Sequence, residues 1–204
     1  MIRFGISIYG VSRKICSGEM TPIRAFERIC EMGAEVVELV PFGFNLVEQP
    51  ALRPEFKAAS KSLGVPIGNY SLNANFLMLT PEQYAAEMAR VKQHIDMVSD
   101  MEIPTIRVDS AAFRRPMCEN TMEKFQEEMP LIVATYEQLC DYAKPLGITV
   151  LLENHGFHAN GSERVRQIMT GVKRDNFGHQ LDVGNYTCVD DIPEIAVKKM
   201  IPYK

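Results

Sequence analysis

Residues 148–156 read ITVLLENHG, an apolar run that ends in Glu153, Asn154 and His155. A short apolar run that follows a glycine and closes on polar residues is typical of a buried strand in a parallel sheet. The chain contains five further β-rich runs, at residues 3–9, 35–40, 66–72, 105–110 and 179–184. The sequence therefore predicts six strands.

The segments between these strands carry the signals of helices. Thr21 and Thr80 each stand before a proline, which places a capping hydroxyl ahead of a proline at the first helical position. Gln83 completes a capping-box pattern with Thr80. Glycines suited to a left-handed conformation close three helices just before strands: Gly33, Gly64 and Gly147. The chain thus repeats a strand and a helix.

Strands that alternate with helices are parallel, which leaves a doubly wound open sheet or a closed (β/α) barrel. The open sheet predicts a glycine-rich phosphate loop after the first strand. Residues 8–18 read IYGVSRKICSG and contain neither a G-x-G-x-x-G pattern nor a Walker lysine pattern. We therefore favour an α/β fold of the TIM-barrel type.

The composition narrows the class of protein. With 204 residues and 46% hydrophobic content, the chain has the size of one domain, and its net charge of −4 includes no basic block for nucleic acid. The N-terminal residues MIRFGISIYG resemble neither a signal peptide nor a membrane span, so we expect a cytoplasmic protein without a membrane partner. The five cysteines form no C-x-x-C pair and offer no thiolate zinc site.

Carboxylates close or interrupt three of the apolar runs. Glu153 follows three aliphatic residues, Asp182 lies in the ending LDVGN, and Glu38 stands between apolar neighbours. A single buried acid is often explained by a salt bridge or a loop cap, and that alternative stays open. Two acids on consecutive strands favour a divalent cation at the carboxyl edge of the sheet, where it would polarise a substrate carbonyl or hydroxyl.

The two strand endings together suggest a family. LLENHG at 151–156, followed after a helix by LDVGN at 181–185, resembles the xylose isomerase-like TIM-barrel superfamily of sugar phosphate isomerases and epimerases. GISIYG at 5–10 and GAEVVEL at 33–39 support the resemblance, which extends over essentially the whole chain.

The resemblance implies a divalent-metal-dependent isomerase or epimerase that acts on a sugar or sugar phosphate by proton transfer through an enediolate. It places metal ligands at Glu153 and Asp182, and makes Glu153 a catalytic acid/base as well. We expect Mn, Mg, Co or Zn and no organic cofactor. Glu38, His155 and Asn185 are the candidate substrate-binding residues.

The chain departs from the family pattern near its end. The family's seventh strand brings a metal-binding histidine and its eighth a second glutamate, but this sequence shows six of eight strand-helix units. We therefore expect residues 1–204 to form a single partial barrel domain of a longer enzyme, with the activity of this chain alone uncertain. Open edges on the first and sixth strands would favour aggregation or a homo-oligomer.

Two alternatives remain at this point. An endonuclease IV-like metal phosphodiesterase shares the acids of strands five and six. Its zinc site requires several histidines, and this chain has Asn185 where that family has a histidine three residues past the aspartate. The other alternative is a non-catalytic, sugar-binding remnant of the barrel.

Overall fold

The computed structural model describes residues 2–113 and 115–203. Six strands form one sheet: β1 (Gly5–Ser7), β2 (Val36–Leu39), β3 (Ile67–Leu72), β4 (Thr105–Val108), β5 (Thr149–Glu153) and β6 (Phe177–Gln180). The described residues also form seven α-helices: α1 (Ser12–Cys16), α2 (Pro22–Glu31), α3 (Leu52–Leu63), α4 (Pro81–Asp100), α5 (Met122–Ala143), α6 (Ser162–Gly171) and α7 (Pro193–Met200). None of the described helices is both long and apolar enough to span a membrane.

The order of the strands separates the two architectures left open by the sequence. Neighbours in the sheet follow chain order from β1 to β6. The pairs β1–β2, β2–β3 and β5–β6 are parallel. A doubly wound sheet reverses its order at a switch point, whereas a (β/α) barrel adds each strand beside the previous one. The order of these strands therefore agrees with the barrel fold class, six units of which lie in this chain.

The helix boundaries follow the sequence signals. The Thr21 hydroxyl accepts a hydrogen bond from the backbone N–H of Arg24 at 3.2 Å, at the start of α2. Thr80 and Gln83 form the reciprocal capping box ahead of α4, with distances of 2.9 and 3.3 Å. The glycines predicted to close helices all have positive φ angles: Gly33, Gly64 and Gly147.

The prediction for the sixth strand was wrong in its position. Residues 179–184 were expected, but β6 ends at Gln180. Beyond that point the side chain of Asn154 replaces the neighbouring strand, because its Nδ2 donates to the Asp182 carbonyl and its Oδ1 accepts from the Asp182 N–H, both at 2.8 Å. Asp182 therefore lies in a loop held by one amide side chain and not within a strand.

The contacts divide the chain into two compact units. The first comprises residues 2–72 and 93–106, and the second comprises residues 73–92 and 107–203 without residue 114. A single partial domain over residues 1–204 stays a prediction.

The core of the first unit is aromatic and aliphatic. Phe26 of α2 packs edge to face on Phe56 of α3, with ring centroids 5.8 Å apart, and both rings are fully buried. Strands β2 and β3 approach so closely that a Cβ at Gly68 would lie 2.4 Å from Cγ2 of Val36. Only glycine fits this position without displacing Val36.

The core of the second unit lies between α5 and the strands it covers. Phe125 and Leu139 of α5 are fully buried. Tyr136, also of α5, donates from its hydroxyl to the Val108 carbonyl at 2.7 Å and packs on Phe177 of β6, with ring centroids 4.9 Å apart. A buried tyrosine whose hydroxyl finds a partner fixes both the helix and the end of β4.

His179 of β6 is a buried histidine that should make stability depend on pH. It is 6% exposed, and neither ring nitrogen has a hydrogen-bond partner among the described residues. Burial lowers the pKa of His179 to about 4. In the unfolded chain His179 takes up a proton as the pH falls below its ordinary pKa of about 6.5, whereas in the folded chain it stays neutral down to about pH 4. The free energy of unfolding therefore falls as the pH drops from about 6.5 to 4.

Replacing His179 by leucine should flatten this dependence. Between pH 7.5 and 4.5 the wild-type chain is expected to lose about 2 to 3 kcal/mol more unfolding free energy than His179→Leu, by the usual conversion of a pKa difference. Urea unfolding of both proteins at the two pH values measures the difference. Equal losses in both proteins would show that His179 is not the group responsible.

Candidate metal and acid/base site

Charged side chains meet at the carboxyl ends of β4 and β5. Glu153 is the last residue of β5, and Asp109 directly follows β4. His155 stands two residues beyond Glu153. Carboxyl ends of parallel strands form the face on which ligands bind in barrel enzymes, so the topology itself brings these residues together.

The cluster is compact and buried. The ligand atoms of Asp109, Glu153 and His155 all lie within 4.8 Å of one another. His155 Nδ1 is 3.2 Å from Asp109 Oδ1. Arg107 of β4 lies between the carboxylates, with Nη1 2.7 Å from Asp109 Oδ2 and Nε 2.9 Å from Glu153 Oε2. The Asp109 and Glu153 side chains are 8% and 9% exposed, whereas that of His155 is 26% exposed and reaches solvent.

At each of Glu153 and His155, burial and nearby opposite charges shift the pKa in opposite directions. Burial raises the pKa of Glu153 to about 7, although the positive charges of Arg107 and His155 pull it down. The hydrogen bond to Asp109 raises the pKa of His155. Groups that change charge near neutral pH are the ones that can both take and return a proton.

Asn185 connects the two acids that were predicted as metal ligands. Its side-chain Nδ2 donates to Glu153 Oε1 at 3.1 Å, and its backbone N–H donates to Asp182 Oδ1 at 2.9 Å. The structure thus brings together Glu153, Asp182 and Asn185, three of the residues selected from the sequence. Asp182 does not belong to the tight three-residue cluster, where Asp109 and His155 accompany Glu153.

Glu38 lies in the first unit, within a polar network of its own. Its Oε1 accepts hydrogen bonds from the Ser71 hydroxyl at 2.6 Å and from Asn69 Nδ2 at 2.9 Å. A cleft of about 430 Å³ borders Glu38 and is also lined by Ser7 of β1. A role for Glu38 in binding substrate stays a prediction.

Three residues of the site were not selected from the sequence. Arg107 and Asp109 occupy alternate positions of the run TIRVDS, so both point to the same side at the end of β4. Charged residues at alternate positions of an otherwise apolar strand were the available signal. Asn154 was also passed over, although it is completely buried and organises the Asp182 segment.

The side chains of this cluster provide some of the donor atoms that a divalent cation requires. Carboxylate oxygens with one imidazole nitrogen match the preferences of manganese, cobalt or zinc. Arg107 is paired with both carboxylates in this arrangement, so a cation binding between them would have to displace it or bind on their other side. Glu153 with Asp182, or Glu153 with Asp109 and His155, would provide part of the ligand shell.

Solved structures share this fold at low sequence identity. A D-psicose 3-epimerase determined in the presence of D-fructose superposes with a TM-score of 0.73 and 15% identity, covering 97% of this chain and 69% of the epimerase. A xylose isomerase-like TIM-barrel protein from Mycobacterium smegmatis in complex with magnesium superposes with a TM-score of 0.72 and 16% identity, covering 99% of this chain and 72% of that protein. The 3-keto-D-glucoside 4-epimerase from E. coli superposes with a TM-score of 0.71 and 18% identity, covering 89% of this chain and 70% of the epimerase.

A fourth structure, a xylose isomerase domain protein from Planctomyces limnophilus, superposes with a TM-score of 0.68 and 16% identity, covering 87% of this chain and 64% of its own length. The chain thus spans about two thirds of the length of the structures it matches. These similarities establish the TIM-barrel fold.

Sequence comparison agrees with the structural one. No curated protein sequence matches this chain significantly. The family model described as "Xylose isomerase-like TIM barrel" matches residues 26–203, which is most of the chain. The chain therefore belongs to the xylose isomerase-like TIM-barrel family.

Proposed function

We propose that this protein is a divalent-metal-dependent isomerase or epimerase that acts on a sugar or sugar phosphate by proton transfer through an enediolate. The observation that supports this most is the geometry around Glu153. A buried carboxylate is held between Arg107 and Asn185, next to an Asp109–His155 pair that reaches solvent. Two of the structural neighbours are described as sugar epimerases, which agrees with the proposal.

Glu153 is the proposed acid/base residue. Arg107 and Asn185 each bind one of its carboxylate oxygens, which fixes the plane of the group. In the absence of a bound cation, burial raises the pKa of Glu153 to about 7, and a carboxylate so placed can remove a proton from a carbon next to a carbonyl and return it. A bound divalent cation would supply positive charge that stabilises the negative oxygen formed in that step.

His155 is the proposed partner for a substrate hydroxyl. Its Nδ1 is taken by Asp109, which holds the ring in one orientation and leaves Nε2 as the nitrogen available to a ligand. Phe113 packs against the ring, with centroids 4.9 Å apart, and is itself exposed. A polar nitrogen beside an exposed aromatic ring matches the mixed polar and apolar faces of a sugar.

The ligand set for the metal remains the one expected from the family resemblance, Glu153 and Asp182. Asn185 holds these two acids through its side chain and its backbone. Asp109 and His155 are the further donors that the structure adds nearby. The phosphodiesterase alternative gains no support, since the cluster found among the described residues contains one histidine and that chemistry requires several.

A substrate screen tests the proposal. The protein is incubated with Mn²⁺ or with chelator and a panel of ketoses and ketose phosphates, and epimers or isomers are separated by chromatography. Metal-dependent conversion of at least one sugar is expected. Absence of both conversion and any manganese-induced rise in the melting temperature would instead support a non-catalytic, sugar-binding remnant, because a metal that binds only the folded state must stabilise it.

A further inference from the structure

The Asp109–His155 pair depends on two loops. Asp109 begins the first loop, described over residues 109–113 and 115–121 between β4 and α5, and His155 lies in the second loop, residues 154–161 between β5 and α6. Their 3.2 Å contact joins the beginnings of both loops. Contacts farther along the two loops therefore bear on how exactly these two side chains are aligned.

Glu128 of α5 holds both loops through one carboxylate. Arg115 of the first loop donates to it from both terminal nitrogens, at 2.8 and 3.1 Å. His158 of the second loop approaches it with Nε2 at 2.7 Å. The Arg115 and His158 side chains are 3% and 0% exposed, so these contacts are made away from water. The two Arg115–Glu128 hydrogen bonds are charge-assisted and belong to the stronger kind in proteins.

Arg164 of α6 provides a second link between the same loops. Its Nη1 donates to the His158 carbonyl at 3.0 Å, and its Nη2 donates to the carbonyl of Asn120 at 2.7 Å. The guanidinium also lies 5.2 Å above the ring of Phe125, which in turn packs edge to face on the His158 ring. One planar side chain thus binds a carbonyl of each loop.

We propose that Glu128 and Arg164 form a clamp that positions the Asp109–His155 pair. Both residues act through the loops, so they are positioning residues and not catalytic ones. The effect of the clamp on turnover rests on the proposed function, whereas its effect on loop order does not. Small displacements of a residue that positions the substrate are known to reduce rates by large factors, which is why a remote clamp has catalytic consequences.

Arg164→Met is the direct test of loop order. Methionine keeps the apolar packing on Phe125 and removes both donors. Arg166→Met on the same helix is the matched control, since the partners of Arg166, Glu163 and Tyr203, lie outside both loops. Hydrogen exchange followed by mass spectrometry is expected to quicken roughly tenfold in residues 109–121 and 154–161 of Arg164→Met alone. Unchanged exchange in both loops would overturn the clamp.

Turnover gives a second readout. Arg164→Met is expected to lower kcat about 10- to 100-fold with little change in KM, and Arg164→Lys, which keeps one donor group, should recover part of the loss. The same substitution in a His155→Gln background should have no further effect, because the pair it positions is already broken. Equal losses of kcat in the wild-type and His155→Gln backgrounds would contradict the proposal that the clamp acts through the Asp109–His155 pair.

The two proposals fail in distinguishable ways. A wild-type protein that converts no sugar, but whose loops loosen on Arg164→Met, would refute the proposed function and support the clamp. A wild-type protein that converts a sugar, with Arg164→Met unchanged in loop exchange and in kcat, would refute the clamp and leave the proposed function standing.

Discussion

Replacing Glu153 by glutamine is expected to lower turnover by about a thousand-fold, within the range of about 10² to 10⁴ typical of a lost acid/base group. Glutamine keeps the shape of the side chain and an oxygen that accepts from Asn185. It cannot take a proton from a carbon acid at neutral pH. Steady-state rates of the wild-type and variant proteins, at saturating metal, measure the loss.

The loss must be separated from a loss of structure. Glu163→Gln is the control, because Glu163 is an exposed acid of α6 that pairs with Arg166. This control should keep wild-type turnover. Both variants should melt within a few degrees of the wild-type protein. A fully folded Glu153→Gln variant with wild-type activity would remove Glu153 from the mechanism.

Replacing Arg107 by methionine is expected to destabilise the fold by about 3 to 5 kcal/mol, the cost of removing one partner from a buried ion pair. Asp109 and Glu153 are both buried, and each has an oxygen within 3 Å of the guanidinium. Without Arg107 the buried Asp109 would lose its ion pair, and the pKa of Glu153, already about 7, would rise further and favour its neutral form. Urea unfolding in the absence of added metal measures the change.

An exposed arginine provides the comparison. Arg24 pairs with Glu31 at 2.7 Å, but its side chain is about half exposed. Its replacement by methionine should leave the free energy of unfolding nearly unchanged, as is usual for surface ion pairs. Similar effects at Arg107 and Arg24 would show that burial does not make the cluster dependent on its arginine.

The strands and helix ends were the most predictable part of the fold. Capping residues such as Thr80 and closing glycines such as Gly147 act through the local backbone, so their signals are contained in a few neighbouring residues. The sixth strand was misplaced because Asn154, which lies 28 residues away in the chain, takes over the pairing of Asp182. No local pattern contains that information.

The site was predictable to the extent that strand ends converge. Glu153, His155 and Asn185 were selected because polar residues at those ends share one face of a barrel. Arg107 was missed because its importance lies in the two carboxylates it joins, one of which is on the next strand. The sequence indicates which residues can react, whereas the structure is needed to identify the residues that keep them in place.

Incorporation of solvent deuterium tests the proton-transfer account most directly. The protein is incubated in D₂O with Mn²⁺ and the sugar identified by the screen, and the recovered sugar is examined by NMR after many turnovers. Deuterium is expected on the carbon next to the carbonyl with the wild-type protein, and at background level with Glu153→Gln. Conversion of the sugar without deuterium, or equal incorporation by Glu153→Gln, would contradict the account.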